Sequence, residues 1–174
     1  MYSVLPYYLS KIIVDTPMIF IPPFIGALIT YFILDFYASF EGFIGFFLAQ
    51  ALVCFVASAI GYFISAIFEN ETTAMGLAPP MVMPMVLFGG QFANNANLPD
   101  FLRWIQYISP IKYSTESMMW NEFGNDKDYN IGPTIMEFLD YKLSFAKCMY
   151  IFLGLAIGFR ILAFFMFKVL VKKF

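Results

Sequence analysis

Long apolar runs, separated by short polar or charged stretches, dominate the pattern along this chain. Each run has the length that a helix needs to cross a bilayer, about twenty residues. None shows the strict two-residue alternation of a β-barrel strand. The pattern therefore predicts an all-α membrane protein with four transmembrane helices. The predicted spans are about 16–34, 42–68, 73–92 and 148–167.

Composition supports lipid as the solvent. The chain is 61% hydrophobic, 21% aromatic and 13% charged, whereas a soluble domain is about one quarter charged. The net charge of −2 gives no reason to expect a nucleic-acid partner. The bilayer itself is the first predicted partner, and the predicted location is an integral, multi-pass membrane protein.

The entry to the first span carries helix-start residues. Thr16 is suited to cap a helix, and Pro17 then takes the first helical position, where its missing N–H costs nothing. Residues 7–15 are predicted to form a separate amphipathic approach helix. Pro22 and Pro23 are predicted to kink the span.

One long connection, residues 93–147, is predicted to be an external loop with short re-entrant or amphipathic helices. The apolar periodicity predicts helices over 97–108, ended by Pro110, and over 113–124. Aromatic side chains are expected to lie at headgroup depth. They are Trp104, Tyr107 and Trp120.

Two patterns of small residues permit close helix approach, Gly154-x-x-x-Gly158 and Ala57-x-x-x-Gly61. They predict helix pairing, although chance explains them about as well in spans so rich in glycine and alanine.

Positive charge sets the predicted orientation. Lysines and arginines divide evenly between the two sides, but the dense cluster after the last span, with Lys172 and Lys173, favours a cytosolic C-terminus. Four spans then place both termini in the cytosol. The sequon at Asn70 would be cytosolic and unmodified, and residues 125–134 would be outside.

Three stretches together resemble one family. "YYLSKIIVDTP" (7–17), "FGGQFANNANLPDFLRWIQYISPIKYSTESMMWNEF" (88–123) and "FRILAFFMF" (159–167) resemble the G subfamily of ABC transporters, the white-pigment and sterol-exporter type. The resemblance covers nearly the whole chain in one order. It implies that residues 1–174 are the C-terminal half of a transporter membrane domain, with helices three to six.

The resemblance implies an ATP-driven exporter of lipids, sterols or other hydrophobic and amphipathic compounds. The nucleotide-binding domain, which in the family precedes the membrane helices, is absent from this sequence, as is any G-x-x-x-x-G-K-[ST] phosphate loop. The chain by itself is therefore predicted not to be an enzyme and to hold no cofactor or metal. ATP and Mg²⁺ belong at the missing domain, and the expected partner is another half-transporter, as a homodimer or heterodimer, in the plasma membrane or an internal membrane.

The resemblance also implies site residues around the third predicted span. The implied substrate cavity is lined by Pro79, Met83 and Val86, and the implied exit plug is Gln91 and Phe92. Between them, Gly89 and Gly90 are predicted to form a hinge, because glycine tolerates φ > 0 and loosens a helix. Gln91 departs from the usual apolar pair of the family.

Charged residues near the membrane have structural interpretations. Glu116 matches an acidic position common in the family's external loop and is one helical turn from Lys112, so the two are predicted to form a structural pair. Arg160 is predicted to act as a membrane anchor whose guanidinium reaches the cytosolic headgroups. The alternative to a transporter is a stand-alone four-helix scaffold or channel. A membrane enzyme is disfavoured because the sequence contains no histidine.

Overall fold

The computed structural model describes residues 4–33, 40–68, 70–89, 103–123, 137, 141 and 143–171. The elements within these residues are helices. They are α1 (Val4–Ile33), α2 (Phe40–Ile67), α3 (Glu71–Leu87), α4 (Arg103–Ile108), α5 (Pro110–Phe123) and α6 (Phe145–Val171).

Three of the described helices are long and apolar enough to cross a membrane. The candidate spans are Leu5–Ile33, Phe40–Ile67 and Phe145–Val169. The third predicted run is represented by α3, which has 17 residues and is not among those three. A membrane crossing by α3 therefore stays a prediction.

The start of the first span differs from the prediction. Helix α1 runs without a break from Val4 through Thr16 and Pro17, so there is no separate approach helix. The Thr16 hydroxyl donates to the backbone oxygen of Ile12 at 2.6 Å. A hydroxyl bonded back by one turn lies inside a helix, so the predicted capping role of Thr16 is wrong.

The most extensive helix contact in the described chain is between α2 and α6. Its centre is a cluster of fully buried side chains, with Val56 on α2 facing Phe152 and Ala156 on α6. Helix α1 packs on α2 through a second cluster, in which Tyr31 meets the Phe43 ring edge-on at 5.4 Å between centroids.

Helix α1 is antiparallel to both α2 and α6, whereas α2 and α6 run parallel to each other. Where α1 begins, the Tyr8 hydroxyl donates to the Arg160 backbone oxygen of α6 at 2.9 Å, and Asp15 accepts a hydrogen bond from Tyr62 near the end of α2. We call this the Lys168 end of the bundle. At the opposite end, the Asn121 amide of α5 donates to the Gly42 backbone oxygen at 2.8 Å, and we call it the α5 end.

The small-residue patterns do not pair helices within the described chain. A Cβ atom added at Gly61, Gly154 or Gly158 would meet nothing within 4 Å. These glycines lie on outward faces, while α2 and α6 meet through larger buried side chains. The predicted pairing through Gly154-x-x-x-Gly158 and Ala57-x-x-x-Gly61 is therefore wrong for the described helices.

Candidate functional site: the α3 face and its anchor on α5

Helix α3 is continuous although Pro79, Pro80 and Pro84 lie inside it. Each proline removes one backbone donor, but the residues between them still donate along the helix. No residue of α3 is fully buried. Ala78 and Met85 pack against the α2–α6 cluster. Most of the other α3 residues are exposed, and the remainder are half-buried.

The three residues predicted to line a cavity lie along α3 at positions i, i+4 and i+7. Pro79 and Met83 are exposed, Met83 by 58%, and Val86 is half-buried. Methionine and proline on an open apolar face suit contact with ligands of varied shape, because the thioether chain adapts to its neighbour. Their role in a cavity stays a prediction.

The C-terminal end of α3 is fixed by a serine from the α4–α5 junction. The Gly89 N–H donates to Val86 at 3.4 Å, so it does not reach the Met85 backbone oxygen one turn back. The hydroxyl of the fully buried Ser109 donates to that Met85 oxygen at 2.7 Å. A terminal carbonyl of α3 is thus satisfied by a side chain outside the helix.

Gly89 is required by close packing. A Cβ atom at this position would lie 2.7 Å from the Met85 backbone oxygen and 3.0 Å from the Cβ of Ile111 on α5. Its φ lies outside the left-handed region. The reason for a glycine is therefore the closeness of the Met85 backbone oxygen and of Ile111 on α5, and not a positive φ. The hinge role stays a prediction. Gly90, Gln91 and Phe92 lie outside the described residues.

The α4–α5 junction differs from the prediction in one respect. Pro110 is the first residue of α5, so α5 begins three residues before the predicted start at 113. Proline suits this position because its missing N–H would have no partner inside the helix. Ser109, between the helices, donates through its backbone N–H to Ile105 at 3.0 Å.

Glu116 lies inside the protein, exposed by only 1%. Its carboxylate accepts a hydrogen bond from the backbone N–H of Leu143, just before α6. Burial and, second, the Glu116 carboxylate raise the pKa of Tyr141 to about 12. The same two causes, in the same order, raise the pKa of Tyr113 on α5. Glu116 therefore ties α5 to the chain that enters α6.

Lys112 points to a different neighbour. Its ammonium lies 5.1 Å from the centre of the Tyr107 ring on α4. The described contacts of Lys112 and Glu116 thus go to other groups, and their mutual pairing stays a prediction. Trp104 and Tyr107 are exposed and Trp120 is half-buried, while their depth in a bilayer stays a prediction.

Arg160 lies against α2. Its guanidinium stacks 4.1 Å from the centre of the Phe55 ring, and its Nη2 donates to the Ser58 hydroxyl at 3.4 Å. These contacts lead across to α2 and not along α6 towards Lys168. The anchor role of Arg160 stays a prediction that these contacts do not support.

Ser109 bonds α3 to the α4–α5 junction and Asn121 bonds α5 to α2, and the sequence analysis singled out neither residue. Asn121 reaches α2 where Gly45 leaves room, since a Cβ at Gly45 would lie 2.0 Å from the Asn121 Oδ1. The Ser-Pro pair at 109–110 was the available signal for a helix junction, and Gly45 was a signal for a close approach.

Comparison with known proteins identifies the family. A profile described as ABC-2 type transporter matches residues 1–123. The chain belongs to the ABC-2 type transporter family. It is 29% identical over 173 residues to the protein white of Ceratitis capitata, covering 91% of this chain and 25% of that protein.

Further relatives carry transporter names. The chain is 28% identical over 181 residues to the ABC transporter ATP-binding protein/permease wht-1 of Caenorhabditis elegans, covering 94% of this chain and 27% of the relative. It is also 28% identical over 185 residues to the ABC transporter G family member 1 of Dictyostelium discoideum, covering 96% and 23%. The chain thus spans about a quarter of the length of the curated relatives it matches.

Within this ABC-2 segment, the exposed residues of α3 from Met75 to Leu87 form an apolar face. Among the described residues, no three side chains of the metal-ligating types lie close enough to hold an ion. The sequence contains no G-x-x-x-x-G-K-[ST] phosphate loop. What the arrangement offers is an open apolar wall, fixed at one end by Ser109 and Gly89.

Proposed function

We propose that this segment is the membrane-spanning part of an ATP-driven ABC exporter and forms half of its translocation pathway. The membership in the ABC-2 type transporter family supports this proposal, together with relatives named as ABC transporters. The observation that carries it is α3, an apolar helix with no fully buried residue in a chain whose α2 and α6 pack closely.

The proposed substrates are lipids, sterols or other hydrophobic and amphipathic compounds. A substrate of this kind would contact the apolar face with Pro79, Met83 and Val86. Above it, Phe92 would close the exit by contact with the same ring of a second half-transporter, and Gln91 would add an amide to the seal. The partner subunit is proposed to be either a second copy or a related half.

The proposed topology has four spans, cytosolic termini and an external loop with short helices, in the plasma membrane or an internal membrane. The arrangement of the described helices supports it. Helices α1, α2 and α6 each cross between the two ends of the bundle, and α3 leads from the Lys168 end back to Ser109 beside α5. This places α5 opposite Lys168, as an external loop requires.

ATP and Mg²⁺ are proposed to act at a nucleotide-binding domain outside this segment. The lack of a phosphate-loop motif in this segment supports that proposal. The contribution of this chain is to bind and pass the substrate.

Transport by the full-length protein in sealed proteoliposomes tests the proposal. We expect movement of at least one member of a panel of sterols, phospholipids and amphipathic drugs that requires hydrolysable ATP. Phe92→Ala is expected to lower the ratio of transport to ATP hydrolysis while the amount of folded protein stays unchanged, and Gln91→Leu is expected to slow release. Passive, ATP-independent ion flux without transport of any panel member would support a channel and contradict the proposal.

A further inference from the structure

A groove lined partly by polar and charged residues lies between α1 and α2, near the Lys168 end and away from α3. It is an open groove with a volume of about 450 Å³. Its lining mixes charged, polar and apolar residues. Its lining includes Lys11, Asp15, Met18, Ser58, Tyr62 and Ser65.

The charges around this groove favour an anion. The Lys11 ammonium is exposed and lies 5.5 Å from the centre of the Tyr62 ring. The one carboxylate of the lining, Asp15, already accepts the Tyr62 hydroxyl hydrogen bond. Behind Ser58 stands the guanidinium of Arg160, whose Nε and Nη1 have no acceptor among the described residues. Lys11 in the groove and Arg160 behind it together outnumber the single carboxylate, so the local charge is positive.

The length of α1 places this groove near the headgroups. Its 30 residues extend about 45 Å at 1.5 Å per residue, whereas the hydrocarbon core is about 30 Å thick. Part of α1 must therefore lie outside the hydrocarbon, unless the helix is strongly tilted. Lys11 is in the third turn of α1, next to the end of α2, where a headgroup can reach it.

We propose that the groove binds the headgroup of an anionic phospholipid. The lipid phosphate would meet the Lys11 ammonium and the Ser65 hydroxyl. The start of an acyl chain would lie along Met18, two turns further along α1 in the same groove. Charge complementarity selects an anionic lipid over a neutral one, and the apolar residues of the groove select a lipid over a soluble anion. This site is separate from the proposed pathway on α3 and goes beyond the proposed function.

Native mass spectrometry of the full-length protein in detergent tests the site, with phosphatidic acid and phosphatidylcholine of identical acyl chains as probes. We expect phosphatidic acid to bind about five-fold more tightly, the effect of one lysine near an anionic lipid. Lys11→Gln should remove that preference. Lys168→Gln is the matched control, because Lys168 is exposed at the same end of the bundle but does not line the groove.

Gly61→Leu tests the groove without a change of charge. Gly61 lines the groove, and an added Cβ meets nothing within 4 Å, so the leucine should fill the space without disturbing the fold. We expect this variant to lose the tight phosphatidic acid binding as well. An equal loss in Lys168→Gln, an unchanged preference in Lys11→Gln and Gly61→Leu, or full displacement of the lipid by millimolar inorganic phosphate would each overturn the proposal.

Discussion

Helices α3 and α6 have similar apolar character but opposite packing. On α6, Phe152 and Ala156 are fully buried against α2, whereas no residue of α3 is fully buried. Between helices in lipid, the stabilising energy comes from close contact and not from removal of apolar surface from water. The α2–α6 contact therefore holds the described bundle together, and the α3 face is left available for another molecule.

The two helices also differ in how they are fixed. Helix α6 contacts α2 along its length, while α3 is held mainly at its C-terminal end, where Ser109 and the close approach at Gly89 join it to α5. A helix fixed at one end can keep a defined position and still present an open side. This is the property that a wall of a transport pathway requires.

The largest expected effect breaks the α2–α6 contact. Phe152→Ala removes a fully buried ring and leaves a cavity, so we expect a loss of about 3 kcal/mol or more in stability. The measurement is the thermal unfolding midpoint in detergent. Phe165→Ala is the control on the same helix, because Phe165 is exposed, and equal destabilisation by the two variants would contradict the assigned core.

A smaller effect is expected where α3 meets α5. Gly89→Ala places a methyl group against the Met85 oxygen and Ile111, and overpacking of this kind costs about 1–3 kcal/mol. Gly154→Ala is the matched control, because nothing lies within 4 Å of its added Cβ. Unfolding midpoints should separate the two variants. If Gly89→Ala unfolds at the temperature of the unchanged protein, the α3–α5 anchor is not as close as described.

Sequence pattern was sufficient for the class of fold and the approximate positions of the long helices. Apolar runs predicted an all-α membrane protein, and resemblance in three stretches predicted the transporter family, which the ABC-2 match confirms. Length and composition are enough to predict that such a run forms a membrane helix, because a helix satisfies its backbone hydrogen bonds within a single segment.

The sequence did not predict how individual side chains bond and pack. Thr16 has the side chain of a capping residue, yet its hydroxyl bonds back to Ile12 inside a continuous α1. Gly154 and Gly158 have the spacing of a packing motif, yet they face outward. Gly89 lies close both to the Met85 backbone oxygen of its own helix and to Ile111, a residue on another helix. In each case the local sequence permits several arrangements, and the rest of the fold selects one.

The smallest expected effect concerns the attachment of α5 to the start of α6. The pKa of Tyr141 is raised to about 12, chiefly by burial. Between pH 10 and 12 the unfolded chain ionises this phenol and the folded protein does not, so stability falls as pH rises and is unaffected below pH 10. We expect a loss of about 1 kcal/mol at pH 11.

Tyr141→Phe should remove that part of the alkaline loss, and Tyr7→Phe, at an exposed position, should not. Unfolding midpoints from pH 8 to pH 11 measure the difference. Parallel pH profiles for Tyr141→Phe and the unchanged protein would show that this phenol is not buried as described.

The most direct test of the account is thiol modification on the open face of α3. Met83→Cys would be compared with Ile161→Cys, an exposed position on α6, in the full-length protein with its native cysteines replaced, including Cys54→Ala and Cys148→Ala in this segment. If α3 lines the pathway, a bulky thiol reagent will block ATP-dependent transport in Met83→Cys, substrate will protect against the reagent, and Ile161→Cys will continue to transport. Transport that survives complete modification of Met83→Cys, or that is lost equally in both variants, would contradict the account.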